Sequence, residues 1–311
     1  MKFKYLHVLW LVLICLSSVS ETAAEDTYGM IKSKSMIQTN EITEGFVRSF
    51  PDARFAVLDM NGKYEPAKLK DFLKREKPSV IICLGALAAE TTIQLEKKIP
   101  VIFAMVINYR SYSEFKQKNV TGVSMEIPPA SLFIQFRMLA PRVRSLGVPF
   151  HPDVSAEIVR EASDAAKKMG IRLTAIPVKE PKRMTAELSR HENAYDGLWM
   201  LGDVKLYSIR THALSNLVKF STKNRKPLLA FSDAFLKAGA FFSVSVNYGS
   251  LGSQLAMISR RIVVDKVPPA SIPVKPPVGT YTVINREASK SLFGKDLDKT
   301  IYERVDKVYP E

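Results

Sequence analysis

Several residues that could bind a ligand stand directly after predicted buried strands. Gly85, Ala86 and Leu87 follow one apolar run, and Asn108 and Tyr109 follow the next. In open α/β sheets, ligands bind outside the carboxyl ends of the strands. Small residues at a helix start leave backbone N–H groups open to a carboxylate or a carbonyl oxygen. A tight turn without a ligand has the same composition, so both interpretations stay open at Gly85.

Polar and aromatic residues follow the predicted strands of the second half in the same way. Asp203 offers a carboxylate to a ligand ammonium, although a helix N-cap would use the same residue type. Tyr109 and Phe231 could cover an apolar body between them, whereas His151, which precedes Pro and Asp, is more typical of a turn and a helix cap. These groups predict a zwitterionic or amide-bearing small molecule. The candidate ligand-binding set is completed by Ser33, Ser35, Ser232 and Asp233.

Residue patterns that would support catalysis are not recognisable in the sequence. Covalent catalysis needs a nucleophile beside a base, and a metal site needs clustered His, Cys, Asp or Glu. His151, His191 and His212 stand singly, without a cysteine or a carboxylate cluster nearby. The sequence therefore disfavours an enzyme, and we expect no cofactor and no metal.

The elements that position the candidate residues are organised around residues 77–109, which predict a βαβ unit. Residues 80–84 are β-branched and apolar, as in a strand that is buried on both faces of a parallel sheet. Residues 86–98 have the length and the amphipathic pattern of a helix. Residues 101–107 form a second apolar run, which predicts the neighbouring parallel strand after a right-handed crossover.

Strands and helices alternate on either side of this unit, which predicts a doubly wound α/β architecture. An early helix ends near Phe50 and could be capped by Asn40. The alternation breaks near Asn119 and restarts at about residue 130. Counting three connections between the halves, we predict two doubly wound parallel-sheet domains joined by a three-crossing hinge. Domain I would comprise residues 25–122 and 248–272, and domain II residues 123–247 and 273–311.

The N-terminus has the pattern of a secretory signal peptide over residues 1–24. A basic start precedes the apolar stretch Tyr5–Leu16, and small residues stand before a predicted cleavage at Glu25. Lipidation of Cys15 is disfavoured because this cysteine lies within the apolar stretch and follows the large Ile14. We therefore expect a periplasmic protein. Cys83 would be its single cysteine, which precludes an intramolecular disulfide.

The chain is strongly basic, with 45 Lys and Arg against 31 Asp and Glu and a formal net charge of +14. Such a balance can indicate nucleic acid or an anionic membrane surface as a partner. The basic residues are spread over the predicted helices, without a basic tract or an aromatic RNA-binding motif. We therefore expect a solvated basic surface and no nucleic-acid partner.

Several segments carry a resemblance to a known family. They are KPSVIICLGALAAE (77–90), IPVIFAMV (99–106), NVTGVSM (119–125), LAPRVRSLGV (139–148), AAKKMGIRL (165–173), VPPASIPV (267–274) and VINREASKSL (283–292). In this order they cover nearly all of the chain beyond the predicted signal peptide, and the chain resembles ABC transporter substrate-binding proteins of the tryptophan-binding type. That resemblance implies the type 1 periplasmic-binding-protein fold, and we expect a monomer. It also implies a receptor that closes over a small solute and delivers it to an ABC permease in the inner membrane.

Two loops depart from the pattern of that family. Residues 107–110 replace an Asp-Pro and a longer glycine-containing loop, and residues 247–249 replace a Tyr-Asp pair. The family's amino-acid ligand is therefore not carried over to this chain. Two other functions stay open: a solute sensor that docks to a membrane signalling receptor and, less favoured, an enzyme that uses the same cleft.

Overall fold

The computed structural model describes residues 26–208 and 210–310. The predicted signal peptide and Cys15 lie outside this part of the chain. Within it, no helix is both long and apolar enough to cross a membrane.

Five parallel strands form the first sheet, in the spatial order β2-β1-β3-β4-β5. Every residue of β1, β3, β4 and β5 is buried, because helices cover both faces of the sheet. The strands are β1 (Thr27–Lys32), β2 (Arg54–Asp59), β3 (Val80–Leu84), β4 (Val101–Ala104) and β5 (Val120–Gly122). The helices between them are α1 (Ile37–Ser49), α2 (Pro66–Glu76) and α3 (Ala86–Leu95).

Seven strands form the second sheet, in the order β12-β11-β10-β9-β8-β6-β7. Its strands are β6 (Ser145–Phe150), β7 (Arg172–Pro177), β8 (Gly197–Trp199), β9 (Leu228–Ala230), β10 (Phe242–Val246), β11 (Thr280–Asn285) and β12 (Lys307–Tyr309). The helices that accompany it are α4 (Pro129–Leu139), α5 (Pro152–Lys168), α6 (Met184–Arg190), α7 (Ala213–Lys223), α9 (Arg286–Phe293) and α10 (Lys299–Tyr302).

The remaining helix, α8 (Tyr248–Val263), returns from the second sheet and packs against α1 of the first. The two helices touch at glycines. A Cβ atom on Gly252 would lie 2.2 Å from the carbonyl oxygen of Ile42, and one on Gly45 would lie 2.2 Å from that of Gly249. Only glycine allows the two backbones to approach this closely. The first sheet is therefore completed by a segment from the last quarter of the chain.

Three connections join the two sheets, and two of them pair with each other. Val123 and Lys275 form a parallel β-bridge, and the Ser124 N–H donates to the Lys275 carbonyl at 3.0 Å. The Thr121 hydroxyl donates to the Ile272 carbonyl at 2.7 Å. The middle connection, between β10 and α8, has the Asn247 N–H donating to the Gly279 carbonyl at 2.9 Å. The connections thus lie side by side, and the predicted fold class is confirmed. The exact domain limits stay a prediction.

Three details differ from the sequence-based predictions. Helix α1 begins at Ile37, so Asn40 lies inside it, where its side-chain oxygen accepts from Lys32 Nζ at 3.1 Å instead of capping the helix. Strand β4 ends at Ala104 rather than at residue 107, because Met105 has a φ of 58°. The second sheet is not purely parallel, since β11 pairs antiparallel with β10. Cys83 is buried in β3 as predicted, and burial raises the pKa of its thiol to about 12.

Candidate functional site

A cavity of about 340 Å³ is lined by residues from both sheets and from the connections between them. This volume lies within the usual range for small-molecule sites, about 300–1,000 Å³. The first sheet and α8 contribute Met105, Ile107 and Tyr248, and the first connection contributes Met125, Glu126 and Ile127. The second half contributes Leu132, Ile158, Trp199, Leu201, Gly202, Tyr207, Phe231, Ser232, Ala234, Phe235 and Val246.

Aromatic and aliphatic side chains form most of the cavity wall. Trp199 is the last residue of β8, and Phe231 follows β9, so the carboxyl ends of neighbouring strands place both rings at one edge of the sheet. The Phe231 and Phe235 rings contact each other with centroids 4.9 Å apart. Trp199 is held edge-on against the buried Phe133 ring at 5.5 Å. The wall therefore offers an apolar, aromatic surface whose rings are fixed by contacts behind them.

Three residues that line the cavity carry a buried polar atom without a protein hydrogen-bond partner. They are Oε1 of Glu126, Nε1 of Trp199 and the hydroxyl of Tyr207. An unpaired buried donor or acceptor costs about 1–3 kcal/mol. A solute that supplied one donor and one acceptor would recover part of this cost. The three atoms are thus the buried unpaired polar groups among the described lining residues, which also include the hydroxyl-bearing Ser232 and Tyr248.

Glu126 is the one charged side chain among the described residues that line the cavity. Burial raises the pKa of its carboxyl, and the Ser124 hydroxyl and the Arg110 guanidinium oppose this effect only in part. Arg110 itself is engaged on the surface of α5, where its Nη1 lies 3.1 Å from Glu161 and 3.8 Å from Glu157. Burial also raises the pKa of the Tyr207 hydroxyl, and nearby Asp203 adds to that rise. Tyr207 therefore acts as a neutral hydrogen-bonding group.

Of the predicted ligand-binding residues, Phe231 and Ser232 lie in the cavity lining. Phe231 and Phe235 are half-buried at the cavity rather than enclosed in the core. The other predicted residues lie outside the lining: Ser33, Ser35, Gly85, Ala86, Leu87, Asn108, Tyr109, Asp203 and Asp233.

Asp203 has a structural role that differs from the predicted contact with a ligand ammonium. It is 2% exposed, and Oδ2 accepts from the His151 N–H and the Ser155 hydroxyl, both at 2.7 Å. Its other oxygen, Oδ1, accepts from the N–H groups of Lys205 and Leu206 at 3.0 Å each. Four internal donors occupy the carboxylate, which ties the loop after β8 to the start of α5. His151 caps α5, as its sequence context predicts, and accepts from the Asp153 N–H.

Asn108 and Tyr109 link elements rather than line the cavity. Asn108 is 2% exposed and has a φ of 56°. Its Nδ2 donates to the Gly202 carbonyl at 3.2 Å, and its Oδ1 accepts from the Val204 N–H at 3.2 Å. The Tyr109 ring packs on Phe103 with centroids 5.4 Å apart. Asn108 therefore joins the loop after β4 in the first half to the loop after β8 in the second.

The turn before α3 has the geometry of a tight turn that needs no ligand. Gly85 has a φ of +95°, and a Cβ there would lie 2.6 Å from the Ser33 hydroxyl oxygen. That oxygen accepts from the Ala88 N–H at 2.9 Å, so Ser33 satisfies one donor of the α3 start. The Ser35 N–H donates to Asp59 at 3.0 Å. These contacts account for Ser33, Ser35 and Gly85 without a ligand.

Asp233 follows the lining residue Ser232 and accepts a hydrogen bond from one tyrosine. Its Oδ2 accepts from the Tyr281 hydroxyl at 2.7 Å, and its N–H donates to the Ser245 hydroxyl at 2.8 Å. Burial raises the pKa of Tyr248 to about 12, with further contributions from Asp233 and Glu41. Tyr248 thus lines the cavity as a neutral phenol.

Sequence reasoning missed the polar centre of the cavity, which consists of Glu126, Trp199 and Tyr207. One signal was present, since Glu126 is a lone charge between Met125 and Ile127 in an otherwise apolar connection before Pro128. Trp199 and Tyr207 carry no comparable signal, because an aromatic residue near a strand end is equally typical of a core. No cluster of His, Cys, Asp and Glu that could hold a metal ion occurs in residues 26–208 and 210–310.

Comparison with known proteins identifies the family. The model of the ABC transporter substrate binding protein family matches residues 57–308, which is more than half of the chain. The chain belongs to the ABC transporter substrate-binding protein family. This is a family of solute-binding proteins rather than of enzymes, and membership implies a small-molecule solute and a transporter as partners. No curated protein matches the chain in sequence.

Solved structures of similar fold include other substrate-binding proteins. A complex of an ABC domain with L-Trp from Streptococcus pneumonia has 20% identity and a TM-score of 0.60, and the match covers 90% of this chain and 99% of that one. A ligand-free, open substrate-binding protein with adhesive properties from Clostridium difficile has 17% identity and a TM-score of 0.70, with 91% and 99% covered. A conserved domain protein from Vibrio cholerae has 19% identity, a TM-score of 0.62 and the same coverage. At identities of 17–20%, these structures show that the fold is shared. They do not show which solute this chain binds.

Proposed function

We propose that this protein is a periplasmic receptor that binds a small, largely apolar solute in the cavity between its two halves and delivers it to an ABC permease. The observation that carries the proposal is the cavity lining, which takes residues from both sheets and contains unpaired polar atoms of Glu126, Trp199 and Tyr207. A cavity of this composition is the usual form of a small-molecule site. The signal-peptide pattern of residues 1–24 supports export, and we propose a monomer.

Closure of the two halves over the solute would follow from this arrangement. A solute that contacts both halves binds the closed state better than the open one and so shifts the population towards it. The connections that pair at Val123 and Lys275 could act as the hinge about which the two halves rotate. Small-angle scattering should then give a smaller radius of gyration with bound solute than without it.

Native mass spectrometry of the exported protein, purified under mild conditions, tests the receptor function. We expect a fraction of the protein to carry a small-molecule adduct, which denaturation releases for identification. Ala234 is exposed at the cavity wall, so Ala234→Trp should fill the cavity and abolish the adduct. Ala238→Trp places the same bulk on an exposed position of the same loop outside the lining, and it should leave the adduct intact. An adduct that survives Ala234→Trp unchanged would place the solute elsewhere.

A sensor that docks to a membrane signalling receptor would use the same cavity and differs only in the protein that it contacts. Cross-linking of the solute-loaded protein in intact cells separates the two functions. Capture of an ABC permease supports the proposed delivery, whereas capture of a signalling receptor would replace it. Signal-peptide cleavage before Glu25 is checked by N-terminal sequencing of the exported chain.

A further inference from the structure

Among the described residues that line the cavity, the only charged group is negative. Glu126 supplies a carboxylate, and no Lys, Arg or His occurs among the described lining residues. The nearest opposing charge, Arg110, is directed to Glu157 and Glu161 on the outer surface of α5. A positive group on the solute therefore has a partner in the cavity, whereas a negative group would have none.

Aromatic side chains in the same cavity lining add to this preference. Trp199, Tyr207, Phe231, Phe235 and Tyr248 all line the same space. The faces of aromatic rings attract ammonium groups through their quadrupoles, and the attraction grows when the cation leaves water. Rings combined with one carboxylate form a wall that suits an organic ammonium.

A solute carboxylate would be unfavourable in the same space. In an α-amino acid, the ammonium and the carboxylate are attached to one carbon atom, so an ammonium at Glu126 would bring the carboxylate close to that residue. Like charges in a weakly polar site repel strongly, and the described lining residues offer no cation to a solute carboxylate. The backbone donors at Ala86 and Leu87, which could receive a carboxylate, lie outside the lining.

The other two unpaired atoms indicate a second polar group on the solute. The indole N–H of Trp199 can only donate, and the Tyr207 hydroxyl can donate or accept. Either of them could donate a hydrogen bond to a hydroxyl oxygen on the solute. The lining thus favours a solute that combines a cationic donor and a neutral acceptor with an apolar body.

On the basis of the proposed receptor function, we infer that the solute is an aromatic monoamine that carries a hydroxyl group and no carboxylate. Its ammonium would donate to Glu126, its ring would lie among the aromatic residues, and its hydroxyl oxygen would accept from Trp199. Tyramine has this composition. L-Tyrosine differs from tyramine by one carboxylate, and 4-ethylphenol lacks the ammonium.

Titration calorimetry on the mature protein with these three compounds tests the inference. We expect tyramine to bind well over tenfold more tightly than either L-tyrosine or 4-ethylphenol, because L-tyrosine adds a repulsion and 4-ethylphenol lacks the charge partner. Glu126→Gln keeps the side-chain size and should remove the preference for tyramine over 4-ethylphenol. Glu44→Gln, an exposed position on α1, should keep it.

Equal or tighter binding of L-tyrosine would overturn the inference, and so would the absence of measurable tyramine binding to the parent protein. The comparison of tyramine with L-tyrosine uses the parent alone and so does not depend on the folding of any variant. Failure of this inference is distinct from failure of the receptor function. An amino acid released from the parent but absent from Ala234→Trp would refute the monoamine and leave the receptor standing.

Discussion

The side-chain amide of Asn108 donates to the carbonyl of Gly202 at 3.2 Å and so joins the loop after β4 of the first sheet to the loop after β8 of the second. The same amide accepts from the Val204 N–H at 3.2 Å. Gly202 lies in the cavity lining. In this conformation one buried side chain therefore links the two halves next to the proposed site.

Asn108→Ala should weaken this link and lower the free energy of unfolding. The change leaves Gly202 and Val204 without their partner, which costs about 1–3 kcal/mol for a buried group. It also places alanine at a positive φ, which is a separate cost. Asn61→Ala is the matched control, because Asn61 has a φ of 51° and is exposed in a turn. Urea denaturation should show a larger loss for Asn108→Ala; equal losses would mean that the cross-sheet hydrogen bonds contribute nothing.

Asp203→Ala should destabilise the fold rather than remove a ligand contact. Four donors lose their acceptor, including the Ser155 hydroxyl and the His151 N–H, and the expected loss in unfolding free energy is about 3 kcal/mol or more. Asp153→Ala removes an exposed carboxylate at the start of α5 and should change stability little. Chemical denaturation measures both variants. Weakened solute binding by Asp203→Ala at unchanged stability would restore the ligand role that the sequence suggested.

Gly252→Ala should separate α8 from α1. The new Cβ would lie 2.2 Å from the Ile42 carbonyl oxygen, so the helices must move apart. Alanine is about 1 kcal/mol more favourable than glycine inside a helix. The variant is therefore destabilised only if the cost of the steric clash is larger than this gain. Gly249→Ala, on the same helix, meets its nearest atom at an ordinary 3.5 Å. We expect a lower midpoint for Gly252→Ala and an unchanged or higher midpoint for Gly249→Ala in thermal denaturation.

Glu126→Gln should raise the stability of the solute-free protein at neutral pH. Burial raises the folded-state pKa of Glu126 above its unfolded value. The folded state therefore binds the proton more tightly, so the glutamate destabilises the fold as the pH rises from about 4, the unfolded value, through the folded pKa. Arg110 is the charged group that acts on this carboxyl, and it offsets the rise only in part. The advantage of glutamine in urea unfolding should be largest at pH 7–8 and should shrink towards pH 4; a pH-independent difference would contradict the raised pKa.

The sequence predicted the bounds of strand β3 correctly and those of the equally buried β4 only in part. Val80–Leu84 has the predicted bounds, because a β-branched run flanked by Pro78 and Gly85 has few alternatives to a buried parallel strand. Positive φ values at Met105 and Asn108 end the next strand early. Such conformations depend on contacts with distant residues such as Gly202, which no local pattern contains.

The candidate site was harder to predict than the fold, for a related reason. A polar residue after a strand looks the same whether it caps a helix, joins two loops or meets a solute. Asp203 and Asn108 are occupied by partners about 50 and 95 positions away, such as Ser155 and Gly202. Phe231 and Ser232 do lie in the cavity lining, because the direction of a strand end is enough to place them there, and their contact with a solute stays a prediction. Glu126 could have been recognised as the one charge in an apolar connection.

The contact between α1 and α8 can form only late in synthesis, because the two helices lie far apart in the sequence. The Ser253 hydroxyl donates to the Gly45 carbonyl across 208 positions of sequence. During synthesis from the N-terminus, the apolar face of α1 stays uncovered until most of the polypeptide has been made. Contacts of such long range form slowly, so an early segment remains available to chaperones and to a secretion channel that accepts only unfolded chains. Completion of the first half therefore has to wait until α8, in the last quarter of the chain, has been made.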